Sequence, residues 1–390
     1  MPIVNRIAEF HAEMTAWRHR IHAAPETAFE ERETSDFVAA KLAEFGIEVA
    51  RGLAGTGVVG TLKGARGAGP AIGLRADMDA LHIEEANGFE HRSRHDGRMH
   101  ACGHDGHTTM LLGAAKYLSE TRNFAGTVHF IFQPAEENEG GGRVMIEDGL
   151  FRKFPVDAVY GMHNIPGIAV GEMSLRSGPV MAAFDIFEIV VKGRGAHAAF
   201  PHLGADPVVA ASALVGQLQT IVSRVVDPMQ SAVVTVTQIH GGSTWNVIPE
   251  EATLRGTARW FRDRVGDIIE AAIKRIADGV AAAHGCTAAT RYERRYPPTV
   301  NEAVETELCA SVARGLVGED KVIERTPMMG AEDFAFMLRE KPGCYVWIGN
   351  GAGENVAQLH NPHYDFNDQI LPIGASFWAR LAETRLAPPR

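Results

Sequence analysis

The sequence feature that most constrains the fold is a change of hydrophobic period between residues 184 and 296. Runs that alternate apolar and polar residues, such as FDIFEIVVKG, predict strands, and longer runs with a helical period, such as DPVVAASALVGQLQTIVSRVV, predict helices. Taken in order, these runs predict β-α-β-β-α-β, which is the ferredoxin-like arrangement. A stretch that contains a complete fold of its own predicts a domain inserted into a larger one.

The rest of the chain alternates short β-branched runs with helix-like stretches. AIGLRAD, TVHFIFQ and AVYGMHN predict strands, and HTTMLLGAAKYLSETR predicts a helix between the first two. Such alternation is typical of an α/β sheet with covered faces. We therefore predict a two-domain α/β protein, with a discontinuous outer domain over residues 1–182 and 296–390 and an inserted domain over residues 183–295.

Charge and hydropathy exclude several classes of partner. The 390-residue chain has 38 Lys and Arg against 48 Asp and Glu, so its net charge of −10 disfavours nucleic acid and anionic membranes. No stretch approaches the roughly 18 consecutive apolar residues of a membrane span. The N-terminal MPIVNRIAEFHAEMTAWRHRIHAAPE carries scattered charges and predicts no secretory signal, and the four widely spaced cysteines favour a reducing compartment. We expect a cytoplasmic protein.

One short motif points to a different chemistry and is set aside. GTGVVG at residues 55–60 fits the glycine pattern of dinucleotide-binding folds. That pattern requires a helix directly after it, and the following TLKGARGAGP has no helical face. A glycine-rich turn leading into a strand is the better interpretation.

The segment MHACGHDGH at residues 99–107 concentrates groups that bind metal ions. Cys102 and His104 are two residues apart, and on a helix their side chains would point in nearly opposite directions. In the extended or turn conformation that Gly103 permits, both side chains can converge on one point. Thiolate and imidazole are both good ligands for Zn²⁺, Mn²⁺ and similar ions.

Further donors follow other predicted strands, where sites in α/β sheets are usually built. Glu136 and Glu137 stand side by side after VHFIF, His163 ends another strand-like run, and His360 lies in a polar loop near the C-terminus. Two adjacent carboxylates after a core strand are electrostatically costly unless a cation is near. Each of these residues alone is more typical of a structural role, so from the residues alone both interpretations stay open. We interpret His91, His95, His100 and His107 as flanking loop residues.

Several segments in order resemble the M20 metallopeptidase family, in particular its amidohydrolase branch of hippurate hydrolases, N-acyl-amino-acid amidohydrolases and auxin-conjugate hydrolases. The resemblance covers essentially the whole chain. The matching segments are RHRIHAAPETAFEERETSDFV, GLRADMDAL, MHACGHDGHTTMLLGAA, QPAEENEGGGRVMIEDG, GMHN, KGRGAHAAFPH, NVIPEEATLRGTAR, GAEDFAFM and LHNPHYDF. The family implies an α/β metallopeptidase catalytic domain interrupted by a ferredoxin-like lid and dimerisation domain.

The resemblance implies a set of ligands for a pair of divalent metal ions, Mn²⁺ or Zn²⁺, with Co²⁺ or Ni²⁺ also compatible. This ligand set is Cys102, His104, Glu137, His163 and His360. Most of the wider family has a histidine ligand at the position of Asp77, so we do not assign Asp77 as a ligand. His82 stands where the branch usually has proline, a minor change near the rim of the site.

The resemblance also assigns roles beyond the ligands. Glu136 resembles the general base, and Asp79 resembles the carboxylate that orients a site histidine or tunes the base. In the lid, His197 matches the histidine that polarises the scissile carbonyl, thought to act in the partner subunit, and Asn246 matches a position near the substrate. These roles imply a homodimer, with a tetramer left open.

Together these assignments predict hydrolysis of the amide of small N-acyl amino acids to an acid and an amino acid. A dipeptidase or carboxypeptidase on the same scaffold is the alternative, and the group on the acyl side of the amide would distinguish them. A non-catalytic protein of the same fold is the third possibility. The intact general base and ligand set disfavour it.

Overall fold

A computed structural model describes residues 4–137, 139–354 and 356–388. By internal contacts the chain divides into two compact units: unit 1, residues 1–180, 300–326 and 333–390, and unit 2, residues 181–299 and 327–332. In the described ranges, no helix is long and apolar enough to cross a membrane.

The helices form where the sequence has an apolar stripe of helical period. They are α1 (Asn5–Glu9), α2 (His11–Ala23), α3 (Arg32–Glu44), α4 (His104–Thr121), α5 (Gly141–Glu147), α6 (Leu150–Lys153), α7 (Pro207–Leu218), α8 (Asp263–Ala283), α9 (Ala303–Val317), α10 (Phe334–Glu340) and α11 (Leu371–Arg385). Short 3₁₀ turns cover Pro201–Leu203, Glu319–Lys321 and Asp368–Ile370, and a π turn covers Ile221–Val225.

Most of the longer strands contain the β-branched and aromatic runs of the sequence. They are β1 (Glu48–Leu53), β2 (Gly57–Lys63), β3 (Ala71–Asp77), β4 (Thr127–Gln133), β5 (Ala158–Pro166), β6 (Met173–Ser174), β7 (Gly178–Met181), β8 (Phe184–Lys192), β9 (Ala196–His197), β10 (Ala232–Gly241), β11 (Val247–Ile248), β12 (Glu251–Trp260), β13 (Thr287–Tyr296), β14 (Thr299–Asn301), β15 (Val322–Ile323) and β16 (Gly343–Gly351).

Unit 1 is built on an eight-stranded sheet with the order β1-β2-β4-β3-β5-β16-β6-β15. Its central strands β4, β3, β5 and β16 are mutually parallel, whereas β1 and β2 add an antiparallel edge. Every residue of β5 is buried, as expected for a central strand covered on both faces. Helices α4 and α11 belong to the same core, which confirms the predicted α/β class.

Unit 2 contains an antiparallel sheet with the order β10-β12-β8-β13. Its elements follow the chain as β8-α7-β10-β12-α8-β13, so the predicted β-α-β-β-α-β order is present. Two further short strands, β9 and β11, pair antiparallel with each other. In the chain, β9 follows β8, and β11 lies between β10 and β12. The alternating burial of β8 and β12 places one face of this sheet against α7 and α8.

The glycine-rich GTGVVG segment leads into β2, which begins at Gly57. No helix lies between β2 and β3 in this part of the described chain. The phosphate cradle of a dinucleotide site, which needs a helix N-terminus there, is therefore missing.

Candidate metal centre

The carboxyl ends of β3, β4 and β5 meet at one edge of the unit 1 sheet. Because these strands are parallel neighbours, the residues that end or follow them share that edge: Asp77 and Asp79 after β3, Glu136 and Glu137 after β4, and His163 near the end of β5. Carboxylates and an imidazole from three separate segments of the chain therefore lie at the same edge of the sheet.

Gly103 brings Cys102 and His104 to the same edge. Its φ is 92°, in the left-handed region, and α4 begins at the next residue, His104. A Cβ added at Gly103 would lie 2.3 Å from Asn164 Oδ1 and 2.7 Å from Tyr364 Oη. Both the conformation and the packing therefore require glycine here.

The predicted ligands form two overlapping groups. One contains Cys102, His104 and His163, and the other contains Cys102, Glu137 and His360; within each group the potential ligand atoms lie within 4.8 Å of one another. Cys102 Sγ lies 3.3 Å from His163 Nε2. Cys102 belongs to both groups, and His104 and Glu137 also form a group with Glu136, so these donors make one connected cluster.

His360 reaches the centre from the far end of the chain. Its backbone N–H donates to the carbonyl of Ala101, 2.8 Å away, beside Cys102. Its φ of 63° is unusual for a residue with a side chain, and its Nε2 lies 3.2 Å from Glu137 Oε1. The His360 side chain is half exposed, so the centre opens to solvent on this side.

The described residues leave one ring nitrogen of His104 without a partner. Nδ1 of His104 donates to Asp79 Oδ1 at 3.0 Å, which makes Nε2 the ring nitrogen that a metal ion could use. That Nε2 is buried and has no hydrogen-bond partner among the described residues. A buried, oriented and unpaired imidazole nitrogen beside a thiol and carboxylates is what a metal ligand requires, so these residues fit a divalent ion.

Asp79 holds two of the candidate ligands at once. Its Oδ1 accepts from His104 Nδ1, and its Oδ2 accepts from the backbone N–H of Glu137 at 2.9 Å. The carboxylate is buried and keeps the ring and the Glu137 backbone in one orientation. This is the contact expected of a residue that orients ligands.

We expect Asp79→Asn to lower metal affinity by about 10- to 100-fold, because one of its two acceptor oxygens becomes an N–H donor. Chelator competition measures the dissociation constants. Asp148→Asn is the matched control, since Asp148 Oδ2 also accepts a backbone N–H, that of Ala54, but lies outside the ligand groups. Equal affinities in the two variants would contradict the orienting role.

Glu136 and Glu137 diverge although they are adjacent. Glu137 lies against His360, whereas Glu136 Oε1 accepts from the backbone N–H of Asp333 at 3.3 Å. The Glu136 side chain is 7% exposed and also belongs to a donor group with His104 and Glu137. The two carboxylates therefore have different partners, although both lie within reach of His104.

The charges of the centre alter its titration. Burial and the Glu137 and Glu136 carboxylates raise the pKa of the Cys102 thiol well above its usual range. Burial opposes charging of His104, yet the Asp77 and Asp79 carboxylates raise the pKa of this residue to about 10. The centre without metal thus holds protons, and a divalent cation would displace them on binding.

Sequence reasoning misplaced His107. It is not a flanking loop residue but lies on α4 one turn after His104, where it is buried. Its Nδ1 donates to Asp77 Oδ1 at 2.6 Å, and its Nε2 lies 2.7 Å from Asn164 Oδ1. The i, i+3 spacing of the two histidines was the available signal, since it places both on one helix face.

Asp77, which we did not assign as a ligand, forms a third donor group with His104 and His107. Arg75 Nη1 donates to its Oδ2 at 2.7 Å. The pKa of Asp77 is held well below its usual range by His104, His107 and Arg75 despite burial. Both oxygens of its carboxylate thus have protein partners, which supports a structural role.

His197 and Asn246 lie together on unit 2. β9 pairs with β11 so that His197 is opposite Val247, and the carbonyl of Asn246 accepts from the N–H of Ala198 at 2.9 Å. His197 and Asn246 are both exposed. The structure brings these two predicted substrate contacts next to each other.

Comparison with known proteins gives a consistent result. The family model "Peptidase family M20/M25/M40" matches residues 73–384. The chain is 42% identical over 383 residues to hippurate hydrolase of Campylobacter jejuni, covering 98% of this chain and 99% of the relative. It is 40% identical over 381 residues to IAA-amino acid hydrolase ILR1-like 4 of Arabidopsis thaliana, covering 96% and 86%.

A solved structure shares the fold over nearly its full length. The Bacillus subtilis YxeP protein, described as a dinuclear metal-binding peptidase, superposes with a TM-score of 0.86 at 34% identity, covering 98% of this chain and 100% of that one. Together with the donor groups above, this similarity supports two divalent metal ions in the centre.

Proposed function

Because this chain belongs to peptidase family M20/M25/M40, we propose that it is a metal-dependent amidohydrolase that cleaves small N-acyl amino acids to an acid and an amino acid. The observation that carries the proposal is the pair of donor groups sharing Cys102, with the carboxylate of Glu136 beside them. Relatives named for hydrolysis of hippurate and of IAA-amino acids support an acyl group on the amide nitrogen.

The ligands would be the five that the sequence predicts: Cys102, His104, Glu137, His163 and His360. Two divalent ions held there would supply Lewis-acid activation of water and of the scissile carbonyl. The mixture of sulfur, nitrogen and oxygen donors is compatible with Mn²⁺ or Zn²⁺, and with Co²⁺ or Ni²⁺.

Glu136 would act first as general base and then as general acid. Its carboxylate takes a proton from the attacking water and returns it to the leaving amine of the amino acid. The Asp333 N–H donates to Glu136 Oε1 at 3.3 Å, which helps to orient the carboxylate. Asp79 would keep the neighbouring ligands oriented while Glu136 works.

The partner subunit's His197 would donate to the oxyanion that forms on the scissile carbonyl. A donor of this kind is typically worth about 10²–10³ in rate. Its ring is exposed on unit 2, and Ala199 N–H donates to its Nδ1 at 3.1 Å, which leaves Nε2 as the donor. Asn246, adjacent across the β9–β11 pair, would contact the substrate.

A homodimer is supported by the exposed edge of unit 2. Among the described residues, strand β10 has a sheet partner on one side only, and its second half is exposed, including the apolar Ile239. Val208 and Val209 on α7 are also exposed. Pairing of two such edges would cover these groups. Sedimentation equilibrium should give twice the 42.2 kDa chain mass; a single-chain mass would contradict the dimer.

We further propose a cytoplasmic location. All four cysteines are free and buried, which suits a reducing compartment. Fractionation of cells producing the full chain would test this directly, and recovery from an oxidising compartment would contradict it.

The substrate class is tested by turnover of the metal-reconstituted protein, with Mn²⁺ and Zn²⁺ in parallel. The substrates are N-benzoylglycine, N-acetyl-amino acids, an indole-acetyl amino acid and unblocked dipeptides. Release of amino acid from the blocked substrates supports the proposal. Cleavage of the dipeptides alone would support the dipeptidase alternative. If none of the substrates were cleaved, a non-catalytic protein would be favoured.

A further inference from the structure

The turn between β4 and the Glu136–Glu137 pair has an unusual backbone. Ala135 has a φ of 54°, in the left-handed region that a residue with a side chain rarely adopts. This conformation costs about 1–2 kcal/mol relative to the right-handed one. Ala135 is fully buried and immediately precedes Glu136, so its φ sets the direction in which both carboxylates leave the turn.

Two hydrogen bonds hold Ala135 in this conformation. Its carbonyl accepts from the Gly141 N–H at 2.8 Å, and its own N–H donates to Glu31 Oε1 at 2.9 Å. The preceding Pro134 has no N–H, so Ala135 offers the first backbone donor after β4. Without Glu31 this buried donor would lose its partner, which costs about 1–3 kcal/mol.

Glu31 does not serve the helix that it precedes. It occupies the N-cap position of α3, yet its side chain makes no capping bond there. Instead Glu26 accepts from the N–H groups of Glu33 and Thr34, at 3.0 and 2.9 Å. The first turn of α3 is therefore capped by another carboxylate, and that of Glu31 is directed elsewhere.

The Glu31 carboxyl is completely buried and its contacts are specific. Oε1 accepts from the N–H groups of Ala135 and Phe29, and Oε2 accepts from Thr56 Oγ1 at 2.7 Å. Burial and the nearby Asp79 carboxylate raise the pKa of Glu31 to about 7. The Glu31 carboxyl is 0% exposed, and burial of a carboxylate is unfavourable unless hydrogen bonds compensate for it. Its retention here indicates that the groups around it require an acceptor in this position.

We infer that Glu31 is a positioning residue, which holds the Ala135 N–H so that the Glu136 carboxylate faces the reacting water. Asp79 accepts from the N–H of Glu137, so two buried carboxylates hold the backbone N–H groups of the residues just before and just after Glu136. In the part of the chain that the structure describes, the Glu31 side chain has no hydrogen bond to a predicted metal ligand, so it would act through the turn. The expected effect on kcat rests on the proposed function. The hydrogen bond by which Glu31 fixes the Ala135 N–H does not depend on that function.

Three substitutions separate this role from general packing. Glu31→Asp keeps the charge but shortens the side chain, so it cannot hold both Ala135 and Thr56. Glu31→Gln keeps the length and one acceptor oxygen. Thr56→Val is the matched control, because it removes the partner of Oε2 and leaves the bond to Ala135 intact.

For kinetics we expect Glu31→Asp to lower kcat about 10- to 100-fold with KM within about threefold, as misplacement of a reacting group does. Glu31→Gln should restore kcat to within about fivefold of the unmodified enzyme, and Thr56→Val should stay near it, since both retain an acceptor for Ala135. Unchanged kcat in Glu31→Asp, or an equal loss in Thr56→Val, would overturn the inference.

Hydrogen exchange of the turn provides a readout that needs no activity. The Ala135 amide, followed by mass spectrometry of peptides spanning residues 130–137, should exchange at least about tenfold faster in Glu31→Asp than in Thr56→Val. Equal exchange would overturn the hold on Ala135. If the unmodified enzyme cleaves no N-acyl amino acid, the proposed function fails while the exchange result still decides the role of Glu31.

Discussion

Glu136→Gln should lower kcat by about 10³-fold or more, because general-base catalysis typically contributes about 10²–10⁴ and the amide cannot accept the water's proton. Glutamine has the same size, and its oxygen can still accept from the Asp333 N–H. The turn and the neighbouring Glu137 should therefore remain in place. Steady-state turnover of an N-acyl amino acid measures the loss of kcat. Elemental analysis of bound metal shows whether the ligands remain in place.

The control for this variant is Glu139→Gln, which removes one negative charge from an exposed position on the same loop. It should retain kcat within about twofold, since exposed charges contribute little. Retained turnover in Glu136→Gln would contradict its role as general base. Loss of metal from that variant would instead assign Glu136 to the ligand set.

The second large effect is expected at Gly103. Gly103→Ala places a Cβ 2.3 Å from Asn164 Oδ1 in a residue whose φ is 92°. Left-handed strain and overpacking each cost about 1–3 kcal/mol. The added Cβ meets the ends of the Asn164 and Tyr364 side chains, which hydrogen-bond to each other. Relief of the clash displaces this pair or the segment that carries Cys102 and His104. We therefore expect loss of stability of about 2–6 kcal/mol, weaker metal binding and at least about 10²-fold lower kcat/KM.

Gly67→Ala is the control that measures the cost of left-handed backbone strain without a packing clash. Gly67 has a φ of 97°, close to that of Gly103, but nothing lies within 4 Å of an added Cβ. It should lose about 1–2 kcal/mol of stability and keep its metal and activity. Denaturant unfolding and metal titration compare the two variants. Equal metal affinity in both would mean that the packing around Gly103 does not shape the centre.

The sheet and its site edge could be predicted because both follow from local pattern. AIGLRAD, TVHFIFQ and AVYGMHN form β3, β4 and β5, and the rule that sites lie at the carboxyl ends of strands places Glu136 and His163 together. The β-α-β-β-α-β order of unit 2 was equally visible as changes of period. The assignment of individual residues to ligand and base roles stays a prediction.

Other features depended on contacts that local pattern does not encode. Helix α4 begins at His104, three residues before the predicted stretch HTTMLLGAAKYLSETR, so His107 lies inside the helix and is buried instead of flanking the site in a loop. The hydrogen bond from Ala135 to Glu31 joins residues 104 positions apart. The feature that draws attention to it is the positive φ of Ala135, which only the structure shows. The sharing of Cys102 between two donor groups likewise emerges only when four segments are brought together.

The most direct test of the account compares N-propionylglycine with glycylglycine. These substrates have nearly the same shape and differ in having a methyl group or an ammonium group beside the scissile carbonyl. For the metal-reconstituted enzyme we expect kcat/KM for N-propionylglycine to exceed that for glycylglycine by at least about tenfold, because burying an unpaired ammonium group costs more than 1.4 kcal/mol. Preferential cleavage of glycylglycine would contradict the amidohydrolase and establish a dipeptidase.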